Sequence, residues 1–324
     1  MRAMIDMHVN LGGLRMATPV ATASGTFGYG TEYADYLDYT KLGAVTVKGV
    51  RRDPWPGNPM PRHCEVYGGL VNAIGLQGPG VEAFVKNHVP HYVAVAGKAI
   101  ARVGGTGAIP PLIVNIWGGT VEEYAEVAAR LSAAAALPAS PIGAIECNVS
   151  CPNVKEGGHA FGHDPAVLNR LVKAVRAATT LPLIVKLAPN VPDIAPYARA
   201  CEDGGADALA LINTIPAMVI DIVSRRPVLG NVTGGLSGRG IHPVAVKCVY
   251  DAHRASHLPI LAMGGVSGWQ DAVELMLAGA TAVAVGTATF SSPDAAGAVA
   301  DGIADYCRSN GMAAARDLTA ALAA

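Results

Sequence analysis

The chain has 324 residues, 51% of them hydrophobic and only 15% charged, with 24 basic against 25 acidic side chains. That length accommodates one barrel of about 250 residues with insertions, and the balanced charge excludes the footprint of a nucleic-acid or anionic-membrane binder. No apolar run approaches the roughly 20 residues of a bilayer span, and Met1-Arg-Ala-Met-Ile-Asp-Met-His8 lacks the apolar segment of a signal peptide. The expectation is a soluble cytoplasmic enzyme. The cysteines at 64, 147, 151, 201, 248 and 307 form no C-x-x-C pair, so neither a zinc site nor an iron–sulfur cluster is expected on this chain.

Short apolar runs recur at 19–23, 44–47, 112–116, 144–149, 183–187, 208–212, 260–263 and 282–285, with helical segments between them. Eight such alternations predict an α/β fold, a (β/α)8 TIM barrel with insertions after strands 2, 4 and 6. Thr120 and Glu123 predict a capping box ahead of Val121, Tyr124, Ala125, Ala128 and Leu131. Asp164-Pro165 predicts an N-cap with proline at the first helical position. Ser267 and Gln270 predict a second box on a helix that ends near Gly279. No composition shift marks a linker. Residues 1–324 are therefore expected as one domain, with 308–324 an Ala-rich, frayed tail.

The ends of the apolar runs carry the chemistry. They finish at Ser24-Gly25, Lys48, Asn115, Asn148, Lys186, Asn213, Gly264-Gly265 and Gly286-Thr287. Side chains alternate along a strand, so Thr46 shares a face with Lys48, Ile113 with Asn115, Glu146 with Asn148, and Ile184 with Lys186. With that face inward, two lysines and three amides converge at the C-terminal rim, where barrel enzymes keep their active sites. Glu146 then lies one layer below Asn148, and Lys186 on the next strand is its natural partner, since a buried carboxylate needs one.

The two glycine pairs after the last two strands stand where barrels bind phosphate, with a helix N-terminus nearby. Amides that both donate and accept suit a planar heterocycle rimmed with carbonyl and N–H groups. An FMN would use all these features, whereas a sugar phosphate would leave several amides unexplained. The insertions at 49–80 and 214–241 are rich in proline and glycine and predict walls or lids. The sharpest motif, Asn148-Val-Ser-Cys-Pro-Asn153, sets two amides and a thiol at one strand end.

Together with Thr46-Val-Lys48, Asn72-Ala-Ile-Gly-Leu76, Val185-Lys186, Asn213-Thr214, Asn231-Val-Thr-Gly-Gly-Leu-Ser-Gly238 and Met263-Gly-Gly265, this motif resembles the class 1 dihydroorotate dehydrogenases. Within them the chain is most similar to the NAD-linked class 1B catalytic subunit, from about Met7 to Phe290. The resemblance implies an FMN-bearing barrel that oxidises (S)-dihydroorotate to orotate in pyrimidine synthesis. It implies Cys151 as the base at C5, with hydride passing from C6 to flavin N5. Substrate contacts are implied at Lys48, Asn72, Gly75, Leu76, Asn148, Asn153, Asn213 and Thr214. FMN contacts are implied at Ser24, Gly25, Lys48, Asn115, Asn148, Lys186, Gly238, Gly264, Gly265, Gly286 and Thr287. Also implied are a homodimer core and a partner subunit carrying FAD and a [2Fe–2S] cluster, which passes electrons to NAD+. The chain departs from the family's frequent Gly-Leu-Gln-Asn-Pro-Gly loop by having Gly78 before Pro79, which puts that local contact in question.

Competing expectations are a dihydropyrimidine dehydrogenase-type barrel acting on uracil or thymine, a fumarate-linked class 1A homodimer, a non-flavin aldolase or isomerase barrel, and a catalytically inert barrel subunit.

Overall fold

The computed structural model of the chain describes residues 5–149 and 161–323. Cys151 and Asn153 lie outside the described residues, as does most of the insertion expected after the fourth strand. The eight apolar runs form one parallel sheet: β1 (Val20–Thr22), β2 (Val45–Val50), β3 (Leu112–Ile116), β4 (Ile142–Asn148), β5 (Leu183–Leu187), β6 (Ala208–Leu211), β7 (Ile260–Ala262) and β8 (Ala282–Val285). Its order runs β1-β8-β7-β6-β5-β4-β3-β2. An Ala21–Ala44 bridge closes it between β1 and β2, helped by the Gly43 amide donating to the Val20 carbonyl at 2.7 Å and the Thr46 amide to Thr22 Oγ1 at 3.0 Å. The result is a (β/α)8 barrel.

These strands are buried on both faces, which is why they read as nearly continuous apolar runs rather than alternating ones. Along β3, Ile113 joins an interior cluster with Ala21, Ala44, Ala144, Ile184, Ala210, Leu261 and Ala284. Leu112, Val114 and Ile116 turn the other way, into the layer between sheet and helices. Period 2 therefore sends Asn115, Glu146, Asn148 and Lys186 inward, as the alternation required. A hairpin of Val9–Leu11 and Leu14–Met16 adds Val9, Leu11, Leu14 and Met16 to the interior cluster and plugs the N-terminal end. The open end is the other one.

The outer layer comprises α1 (Val89–Arg102), α2 (Val121–Ala135), α3 (Pro165–Ala178), α4 (Ala195–Gly204), α5 (His242–Ala255), α6 (Trp269–Leu277) and α7 (Ala295–Ser309). Between β1 and β2 stands only a 3-10 turn, Tyr39–Lys41. Thr120 caps α2 by accepting from the Glu123 amide, but Glu123 Oε2 bonds the Gly119 amide rather than closing the box on Thr120. Asp164 caps α3 through the Ala166 and Val167 amides. The box expected from Ser267 and Gln270 is displaced. Asp271 Oδ2 accepts from the Ser267 and Gly268 amides at 2.8 and 3.0 Å, because a carboxylate reaches the helix-start amides with charge that suits the dipole.

The insertions at 49–80 and 214–241, expected as walls or lids, carry strands of their own. His63–Val66, Gly69–Asn72, Thr233–Ser237 and Ile215–Met218 form an antiparallel four-stranded sheet, its central pair joining the two insertions through Asn72 with Gly235 and Leu70 with Ser237. The expected frayed tail is pinned at 314–318. Asp6 bridges Ala314, Arg316 pairs with Asp6 at 2.5 Å, and Ala315 and Leu318 are fully buried.

Candidate active site

The floor of the site follows from register. Parallel pairing sets Asn115 beside Glu146 and Asn148 beside Lys186. Glu146 is wholly buried; its Oε1 accepts from Asn115 Nδ2 at 2.5 Å and stands 3.8 Å from Lys186 Nζ. Lys186 Nζ also donates to Ser24 Oγ at 3.2 Å, crossing the barrel to the end of β1. With its N–H turned to a carboxylate, Asn115 presents Oδ1 toward Gly49, where an added Cβ would sit 3.0 Å away. Thr46 Oγ1 and Glu146 Oε2 are buried with no hydrogen-bond partner among the described residues. Buried polar groups are rarely left so unless a bound group or water completes them.

Above the floor the predicted polar groups link into a chain. Asn213 Nδ2 donates to Asn148 Oδ1 at 3.0 Å, and the Thr214 amide donates to Asn213 Oδ1 at 2.9 Å. Thr214 packs onto Gly235, whose missing Cβ would fall 2.0 Å from Thr214 Oγ1. Asn72 Nδ2 donates to the Gly235 carbonyl at 3.3 Å. Leu76, with φ of 56°, approaches Gly49 alongside Asn115 and Trp117. At Gly75 an added Cβ would lie 2.4 Å from Asn58 Cγ, so the packed insertion leaves no room for a side chain there. The Lys48 ammonium has no ion pair within 4 Å among the described residues, and burial, reinforced by nearby Arg62, lowers its pKa.

A second corner gathers the glycines. Gly264 and Gly265 have φ of 127° and 76°, a region open to glycine. A Cβ on Gly264 would meet that of Ala245 at 2.7 Å, so the turn lies directly on α5. The N–H groups of Gly265 and Gly286 have no acceptor among the described residues. Thr287 Oγ1 donates to Ser237 Oγ at 2.8 Å, Gly238 lies against Gly69 at φ 99°, and Gly25 faces open space. Free N–H groups beside a helix N-terminus are the chemistry that binds an anion.

Sequence and geometry together point to one lineage. The dihydroorotate dehydrogenase family model matches residues 6–306. The chain belongs to the dihydroorotate dehydrogenase family. It is 50% identical to the dihydroorotate dehydrogenase B (NAD(+)) catalytic subunit of Pelobacter propionicus over 317 residues, 98% of each chain. The protein of the same name from Geobacter sp. (strain M21) is 48% identical over the same share, and that from Alkaliphilus oremlandii is 49% identical over 93% of each chain.

The dihydroorotate dehydrogenase family is FMN-dependent, and the residues present fit that group. Orphaned Thr46 and Glu146 oxygens, a lysine and amides surround the mouth, and free glycine N–H groups line the anion corner. Arg62 escaped sequence reasoning. Its guanidinium donates to the carbonyls of Asn58 and Pro56 and to Gln77 Oε1, at 2.6, 2.9 and 2.6 Å, and ties down the insertion bearing Asn72 and Leu76. Nothing periodic marks such a residue. Ser237 and His242 were also missed, because only folding brings them to the anion corner. Cys147, on the outward face of β4, is fully buried, and burial with Glu146 nearby pushes its thiol far up. Among the described residues no group of three His, Cys, Asp or Glu could hold a metal ion, and no helix is long and apolar enough to cross a membrane.

Proposed function

We propose that this chain is the catalytic subunit of an NAD+-linked dihydroorotate dehydrogenase that oxidises (S)-dihydroorotate to orotate. The observation that carries this is the near-full-length identity of 50% with a relative of that name, joined to the convergence of Asn115, Glu146, Asn148, Lys186 and Asn213 on one rim. FMN, when bound, supplies the two-electron acceptor for the hydride that leaves C6 of the substrate.

The chain supplies everything else. Lys186, paired with Glu146, supplies a cation at the floor, and Asn115 offers an acceptor to a ring N–H. Asn148, Asn213, Thr214 and Asn72 offer the amide and hydroxyl groups that a pyrimidine's carbonyl and N–H edge demands. Lys48 offers a cation for the substrate's carboxylate. Cys151, three residues past the last residue of β4 in the sequence, takes the C5 proton, with Asn153 two residues further on. The deeply buried Cys147 cannot share that task, since a thiol that resists ionisation is a poor base. Electrons then pass to a partner subunit bearing FAD and a [2Fe–2S] cluster, about a homodimer core, in the cytoplasm.

The decisive experiment is an absorption spectrum of the pure chain followed by anaerobic addition of dihydroorotate. A yellow protein bleached by dihydroorotate but not by dihydrouracil is expected, with NAD+ reduced only once the partner is added. A colourless protein, or turnover with fumarate in the chain alone, overturns it. Exchange of Cys151 for serine should keep FMN and orotate bound yet slow bleaching by about 10²–10⁴ at neutral pH, while Cys147→Ser leaves the rate unchanged. Equal stopped-flow rates for wild type and Cys151→Ser would remove that thiol from the mechanism.

A further inference from the structure

His242 opens α5 with both ring nitrogens engaged. Nδ1 lies 2.9 Å from the Gly264 carbonyl oxygen, and Nε2 lies 3.0 Å from Glu274 Oε2. A carbonyl only accepts, so Nδ1 donates to Gly264. The ring is 11% exposed and Glu274 60% exposed, so the carboxylate reaches in from solvent to hold a buried imidazole in place. The ring stands at the N-terminus of a 14-residue helix, whose positive dipole end favours an anion in front of it.

The same contact controls backbone orientation. The Gly264 carbonyl and the Gly265 N–H belong to one trans peptide plane and point in opposite directions. Anchoring the carbonyl on His242 therefore aims the Gly265 N–H away from α5, and that N–H has no acceptor among the described residues. A Gly-Gly peptide is otherwise free to flip. Gly265 sits so close that a Cβ would lie 2.6 Å from that of His242.

We propose that His242, held by Glu274, is a positioning residue for the cofactor's phosphate. It locks the Gly264–Gly265 peptide in its donating orientation. The proposal rests on the flavin assignment made above. It goes further by giving the anion corner a side chain that contributes to phosphate binding and to nothing at the ring.

Riboflavin, which lacks the phosphate, separates the two claims. FMN and riboflavin affinities of the apo chain are measured by fluorescence quenching at about pH 7, alongside ring ¹⁵N shifts of His242. FMN affinity is expected to fall about tenfold in His242→Ala while riboflavin affinity stays unchanged. His242→Gln, which restores a donor, recovers most of the loss, and Nδ1 in wild type shows a protonated shift. Parallel loss of both ligands in His242→Ala, or an unprotonated Nδ1 in wild type, overturns the proposal while leaving the flavin assignment standing. A wild-type chain that binds neither flavin overturns both. If His242→Ala does not fold, the wild-type ring shifts still decide.

Discussion

Glu146 shows how one residue sets the polarity of the whole floor. Its Oε1 turns the Asn115 amide over and compensates Lys186. Glu146→Leu removes the acceptor from both and leaves a lysine uncompensated inside the barrel. A destabilisation of about 3–5 kcal/mol in urea melts is expected, mostly recovered in Glu146→Leu/Lys186→Met. No recovery in the double variant would mean the two residues act separately. Lys48 makes a prediction about pH. Burial and Arg62 depress its pKa, so its charge is present at low pH and is lost on the alkaline side earlier than in an ordinary lysine. Orotate affinity should therefore weaken as pH rises into that range, and Lys48→Met should bind weakly with this limb absent. A wild-type profile flat to beyond the ordinary lysine range would contradict the assignment.

Elements matter here mainly as platforms. β3, β4 and β5 are legible because runs of five to seven residues, apolar but for the site residues they carry, suit a strand buried on both faces, and period 2 then names the inward residues. Caps were legible in kind but less so in register. Thr120 and Asp164 stand where expected, yet α6 is started by Asp271 accepting the Ser267 and Gly268 amides. Asp271→Ala should cost about 1 kcal/mol in the same melts, whereas Gln270→Ala should be silent; the reverse result would restore the box first expected. The strands of the two insertions could not be read. Short, glycine-bearing and proline-flanked, they gain stability only by pairing with each other across about 160 residues of intervening chain. A sequence window sees neither partner.

On the scale of the molecule, the barrel's weakest seam lies between β1 and β2, where backbone pairing is reduced to the Ala21–Ala44 bridge. Thr22 fills the gap, its Oγ1 accepting from the Thr46 amide and donating toward the Thr46 carbonyl at 3.4 Å. Thr22→Val keeps the shape but orphans a buried amide, so a lower urea midpoint is expected, by about 1–3 kcal/mol with an unchanged slope. An unchanged midpoint would show that the bridge alone seals the barrel. The tail adds a second closure. Arg316 on Asp6 holds that carboxyl near a pKa of about 2, with His8 helping, so the two termini stay clipped over the acid range.

The barrel class, its eight strands and the inward set of Asn115, Glu146, Asn148 and Lys186 were determined by sequence alone, because burial on both faces and alternation are local rules. The tertiary structure decided the rest. It alone turned Asn115 by a carboxylate 31 residues away, brought Ser237 to Thr287, and set His242 beneath Gly264. Each of these depends on where separate chain segments come to lie against one another, and spacing along the chain does not encode that distance.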